Sequence, residues 1–507
     1  MARQDVCAVQ QPMEWATDST ATTAGGPFLF HSMGVLEIAS RVLTGRRVIK
    51  TSVERIDEKN VTNVLAQAYV THLINRDEIE YLYKYYKGRQ PILDRVKEVR
   101  PEIMNMIVEN RANAIVSFRV GYTCGKPIQY VSSVADESVS KEIARLNDLM
   151  RYAGKGTKDK TLVEWMMICG LDYRFLLPSK DPRARVPFEI YTVDPRNAFV
   201  IYRNDIAQTP LCGVYYTISD SQDITFHVYT DTDYFRIEGT QPGKIMETSK
   251  NVLGRIPLIE YPLNMARIGA FEVILPLLDC INTLDSNDID SVEQTVQSLL
   301  VAVNCNFDEG TTANEIRQAG MVVLKSVGEN KADIKMLNEP VDQTQAQVLK
   351  QSILDAINEI AGIPSQANGR SSDSSNNGAV ILRNGWQGAE TRAQDFEMMF
   401  REPEMRMLEI VTDICRSLSD INIDPMTIEI KFTRRNYEDL LSKSQTLTTM
   451  LGNDKIHPQC AYEASGLFVD TQDAYNMGMA WFREHGGAVN NVPPVTESEN
   501  AEDDISV

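Results

Sequence analysis

The chain of 507 residues has only five histidines, His31, His72, His227, His457 and His485, and they lie far apart. That scatter excludes a histidine-built metal or catalytic centre of closely spaced ligands. The eight cysteines are equally dispersed and form no C-x-x-C. Neither a zinc ribbon nor a disulfide framework is therefore expected, and they read as reduced thiols. No run of about 18 apolar residues occurs, so no transmembrane helix and no membrane partner is predicted. The first residues, M-A-R-Q-D-V-C-A-V-Q-Q-P, carry no apolar signal core, so secretion is not expected. Positive charge is scarce too: 51 Lys and Arg stand against 70 Asp and Glu, a formal net charge of −19. Such a balance favours solubility and argues against tight, general adhesion to nucleic acid.

Catalytic signatures are missing as well. G-x-S-x-G, H-E-x-x-H and G-x-G-x-x-G do not occur. G-Y-T-C-G-K-P at 121–127 approaches a phosphate-binding loop, but its glycines are one residue too close and Pro127 stands where a magnesium-ligating hydroxyl belongs. It reads as a turn. Asp285, Asp288 and Asp290 could hold a metal only with further ligands nearby, and a solvated helix face is the better reading. No cofactor and no metal are expected.

What is present is a sequence of structural signals pointing to an α+β fold. Residues 59–86 and 103–118 carry helical spacing, with a break near Asn75 or Arg76. Helices at about 138–152 and 160–170 precede a β-meander of short alternating runs, among them F-E-I-Y-T-V, A-F-V-I-Y and C-G-V-Y-Y-T-I. From Ala270 the period returns to 3.6. Between 268 and 296 there are six acids and no lysine or arginine, which predicts a helix with an uncompensated negative face. A small α/β insert follows, then a helix from Thr344 to about Ala361. The polar stretch S-Q-A-N-G-R-S-S-D-S-S-N-N-G-A occupies 365–379, and a long helix, expected to bend at Pro403, runs over about 379–419. A strand, T-I-E-I-K-F-T, helices near 437–451 and 456–485 and an acidic tail complete the chain.

Four stretches in this order carry a family likeness: Y-Y-K-G-R-Q-P-I-L (85–93), N-R-A-N-A-I-V-S-F-R-V-G-Y-T-C-G-K-P-I-Q-Y (110–130), Y-T-V-D-P-R-N-A-F-V-I-Y-R-N-D-I (191–206) and G-R-I-P-L-I-E-Y-P-L-N (254–264). Over roughly 60–450 the sequence resembles the portal proteins of tailed double-stranded-DNA bacteriophages, of the siphophage type. The resemblance implies a ring, typically of twelve subunits, at one capsid vertex. By position it implies an N-terminal arm (1–55), a β-rich wing (56–267), a stem helix (268–296), a small α/β clip (297–341) and a return helix (342–362). A tunnel loop (363–379), a long kinked helix with a wing strand (380–436), a helical crown (437–490) and the acidic tail (491–507) follow.

On that mapping Gln366, Asn368, Arg370, Ser371, Ser372 and Asn376 face passing DNA without reading its sequence, since short polar groups exchange hydrogen bonds freely. Asp279, Asp285, Asp288, Asp290 and Glu293 become an acidic channel lining that repels phosphates. Arg317, Lys325, Lys331 and Lys335 become candidates for docking at the clip. The implied partners are further copies of the chain, double-stranded DNA, the terminase large subunit, a head-completion adaptor and the major capsid protein. For the arm the choice stays open between scaffold and capsid. Two other classes compete: a monomeric enzyme with a polar mobile lid at 365–379, and a helical adaptor with an insert domain.

Overall fold

The computed structural model describes residue 43, residues 45–296 apart from 99, 135, 182 and 241–242, the strands within 299–337, and residues 343–364, 386–433 and 440–485 apart from 420 and 469. Ahead of the meander lie β1 (Ile49–Thr51), α1 (Val61–Tyr86), a 3-10 turn (Pro91–Asp94), α2 (Arg111–Thr123), β2 (Gln129–Ser132), α3 (Glu137–Tyr152) and α4 (Lys155–Cys169). The meander itself runs through β3 (Leu171–Pro178), β4 (Phe188–Val193), β5 (Ala198–Arg203), β6 (Pro210–Ile218), β7 (Ile224–Tyr229), β8 (Asp233–Glu238), β9 (Lys244–Lys250) and β10 (Leu258–Pro262). One sheet has the order β1-β5-β6-β7-β8-β9 and a second the order β10-β3-β4. Among the described residues the strands of these two sheets pair antiparallel, except that β1, arriving from the N-terminal arm, lies parallel on β5.

The first half of α1 covers one face of the larger sheet, burying Val61, Leu65 and Tyr69 against Phe199, Val214 and Phe226. Its second half enters a larger core with α2, α4 and the later helices. The expected break near Asn75 does not occur. Asn75 bonds the Arg47 backbone twice, accepting from its N–H and donating to its carbonyl, both at 2.9 Å. A poor helix former is thus retained for a tertiary contact. The arm, drawn through 55 from sequence, ends earlier for the same reason. Arg46 is buried between Glu78 and Glu272, so residues from 45 onward belong to the fold.

The second correction concerns 103–118. Only Arg111–Thr123 is helical, capped by Asn110, whose side chain accepts from the Asn113 N–H. Residues 103–110 form a non-helical strap along the next long helix, α5 (Leu275–Val296). Beyond it β11 (Leu299–Val303), β12 (Cys305–Asn306), β13 (Lys325–Ser326) and β14 (Asp333–Leu337) pair as β11-β14 and β12-β13. The chain returns through α6 (Gln343–Ala361), and α7 (Trp386–Leu418) runs uninterrupted through Pro403. β15 (Ile428–Lys431) pairs with β2. Three helices follow: α8 (Leu440–Leu451), α9 (Pro458–Ser465) and α10 (Thr471–His485). The single helix expected over 456–485 is two, because Gly466 takes φ +59° and ends α9.

Candidate functional site at the stem hairpin

α5 and α6 form an antiparallel hairpin whose strands β11 and β14 continue the pairing at its far end. Lys350 of α6 reaches across to Asp285 at 2.6 Å and to Glu109 of the strap at 3.0 Å, so one ammonium joins all three segments.

The strap is held to α5 by a ladder. The N–H groups of Asn105, Ile107 and Glu109 donate to side chains of Asp290 (2.8 Å), Ser286 (3.0 Å) and Asn282 (2.8 Å). Two residues of extended chain advance about 6.6 Å and four residues of helix about 6 Å, so alternate donors meet every fourth side chain. Backbone groups that no sheet or helix satisfies find acceptors here. Gln90 adds a further contact, accepting from the Asn282 amide.

This ladder corrects the expectation of an uncompensated acidic face. Asp290 is only 4% exposed and accepts from Lys97 at 2.9 Å, with Arg95 at 3.4 Å. Burial alone would raise its carboxyl, but the Asn105 N–H and the Lys97 ammonium outweigh that and hold it below the usual range. Glu293 accepts from the Asn105 amide at 3.1 Å. Asp279 accepts from the Tyr85 hydroxyl at 2.8 Å, and burial raises its carboxyl. Burial raises Asp285 too, against the pull of Lys350. Among the described residues only Asp288, half-exposed, has no partner. The local window held no cation, but the partners come from 65 and 193 residues away. The fully exposed side of α5 carries Cys280, Thr283 and Asn287 instead.

The polar stretch carrying Gln366, Asn368, Arg370, Ser371, Ser372 and Asn376 lies outside the described residues, as do Arg317 and Lys331. Lys325 and Lys335 lie on β13 and β14. What is described is how the polar stretch is rooted. Arg119 donates to the Ala361 carbonyl through Nε (3.2 Å) and Nη2 (2.6 Å), satisfying the end of α6 and favouring its negative dipole. Burial, and then nearby Arg392, lower the Arg119 guanidinium to about 10. One turn along α2, Phe118 and Tyr122 pack on Trp386, and the Tyr122 hydroxyl donates to Glu390 at 2.8 Å. A single turn of α2 therefore grips both ends of the segment between α6 and α7. A cleft of about 340 Å³ lined by Arg119, Val273, Ile360, Gly362 and Arg392 sits at this junction.

Behind it lies a buried charge cluster. Glu404 of α7 meets Lys155 at 2.8 Å and Arg174 at 3.2 Å, and both cations also bond Asp159. The Tyr130 and Tyr261 hydroxyls donate to the two Glu404 oxygens at 2.6 and 2.8 Å. Burial would raise the Glu404 carboxyl, but Lys155 and Arg174 hold it well below the usual range. Four charges from α4, β3 and α7 cancel inside the core. Sequence reasoning missed both this cluster and the α2 grip. The ladder had a signal, since Asn282, Ser286 and Asp290 recur at four-residue spacing.

The family model described as "Phage portal protein, SPP1 Gp6-like" matches residues 70–474, well over half of the chain. The chain belongs to this phage portal protein family. It is a structural family rather than one of enzymes, and its members are components of the virion capsid. Two solved chains are also similar. One, described as "Neck of empty GTA particle computed with C6 symmetry", is 13% identical with a TM-score of 0.43, covering 70% of this chain and 90% of that one. The other, "Neck of native GTA particle computed with C12 symmetry", is 14% identical with a TM-score of 0.38, covering 70% and 89%. No curated protein matches the chain. Among the described residues no helix is long and apolar enough to cross a membrane.

Proposed function

We propose that this portal-family chain assembles as a ring, of twelve copies as in the portal proteins it resembles, at one capsid vertex. Double-stranded DNA is packaged and ejected through its channel. The α5–α6 hairpin forms the stem, the strands of 299–337 the clip, and the polar segment 365–379 a loop in the channel. Arg317, Lys325, Lys331 and Lys335 are then placed for docking of the terminase large subunit or the head-completion adaptor. The wing and arm face the major capsid protein or scaffold. The grip of α2 on both ends of the polar segment carries this reading: a linker needs no fixed roots, whereas a loop held at a set position does.

The ring is tested by native mass and negative-stain imaging, with a central hole of duplex width as the expected result and a monomer under all conditions as the contrary one. Deleting 367–377 should leave ring assembly intact and sharply lower DNA packaging or retention. Unchanged packaging would remove the loop's role. For charge, the pairing of the other acids narrows the expectation to Asp288. Asp288→Lys should slow translocation several-fold at low salt and recover as salt screens it; equal rates at low salt would place Asp288 away from the lining.

A further inference from the structure

The hairpin has two broad sides, one covered by the strap and the other covered only in part by the chain's own core, on which Leu277 and Ile353 pack. Asn282, Ser286 and Asp290 of α5 face the strap. Leu284 is two residues from both Asn282 and Ser286, roughly 160° round the helix, so it lies on the far side, with Leu277 below it packed partly on the core. On α6, Leu349 and Ile360 lie about three turns apart on a matching stripe, with Ile353 between them partly packed on the core. Val273 and Ile360 line the same cleft at the hairpin's base, which puts the two stripes on one side. Val273 is 62% exposed, Leu349 50% and Ile360 42%. An apolar helical layer of this kind is stable when something covers it.

The strap supplies a counterpart on the other side. Its N–H groups at 105, 107 and 109 point into α5, and the side chains of Asn105 and Glu109 make polar contacts with Asp290 and Lys350. In an extended chain Met104, Met106 and Val108 then share the opposite side, and all three are half-buried. Val96, ahead of the strap, is 86% exposed.

We propose that the half-exposed hairpin side of one subunit, carrying Val273, Leu284, Leu349 and Ile360, packs on the strap row Met104, Met106 and Val108 of the next copy. The proposal rests on the ring reading above. A rotational ring needs two different, mutually complementary faces on each chain, at equal height, since any rise would give a helix instead of a closed ring. Lys350 provides the height: its bonds to Glu109 and Asp285 set the strap, α5 and α6 level, with Leu349 adjacent and Met106 three residues from Glu109.

The test starts from the full chain. Leu349→Asp combined with Ile360→Asp should convert rings to monomers by native mass while leaving thermal unfolding of the monomer unchanged, because both side chains are already half-exposed. Rings of unaltered stability would overturn the proposal. Met106→Cys combined with Leu349→Cys should, on oxidation, give a ladder of covalent multimers on denaturing gels that neither single variant gives. Intact rings of the double variant without a ladder would overturn this seam and leave the ring standing. Monomers of the unaltered chain would instead overturn the ring, and the seam with it.

Discussion

Replacing Glu404 with leucine should destabilise the protein by roughly 3–5 kcal/mol, the usual cost of removing one partner from a buried ion pair. Glu404 is fully buried and is the only carboxylate of its cluster drawn from α7. Without it, Lys155 and Arg174 face Asp159 alone, the Tyr130 hydroxyl loses its acceptor, and Tyr261 keeps only the Pro403 carbonyl at 3.4 Å. Leucine fills the space but returns none of this. Glu404→Gln should be milder, since the amide oxygen can still accept from one tyrosine while the charge imbalance remains. The check is the urea midpoint of each variant. A leucine variant as stable as the unaltered chain would mean that the four charges do not depend on one another.

An effect of opposite sign is expected at Asp172. Its carboxylate on β3 is fully buried, and neither oxygen has a hydrogen-bond partner of ordinary geometry among the described residues. Burial pushes the group well above its ordinary value, and the Tyr173 N–H offsets only part of that. Below about pH 4 the carboxyl is protonated in both the folded and unfolded chain and contributes nothing. As pH rises further the unfolded chain releases the proton and the folded one keeps it. Stability therefore falls by about 1.4 kcal/mol per pH unit until the folded group itself ionises. Asp172→Asn keeps the shape and removes the titration. It should raise the melting temperature, by more at pH 8 than at pH 5. Equal melting curves for the two proteins at both values would refute the account.

How much of this was legible beforehand differs by element. The meander and the hairpin helices were readable because their period is written locally: β5, β6 and α6 lie close to where alternation and 3.6-residue spacing put them. The strap was misread for an equally physical reason. Ile103, Met106 and Ile107 have helical spacing, but the N–H groups of Asn105, Ile107 and Glu109 are satisfied by side chains about 180 residues away, which no window around them contains. The acidic face failed in the same manner: composition counts charges, whereas pairing is decided by the tertiary fold. The family assignment survived these misreadings because it depended on the order of parts and not on the surroundings of any one side chain.

Irregular backbone ordinarily absorbs inserted or missing residues with little harm. The segment from Asn105 to Glu109 has no such tolerance. Each rung pairs a main-chain donor with a particular side chain, and the two pitches agree only in one register. One extra residue there would turn every later donor away from its acceptor and carry Glu109 off Lys350. Across descendants of this chain the length of the segment should therefore stay fixed, the pattern of a measured part and not of a connector.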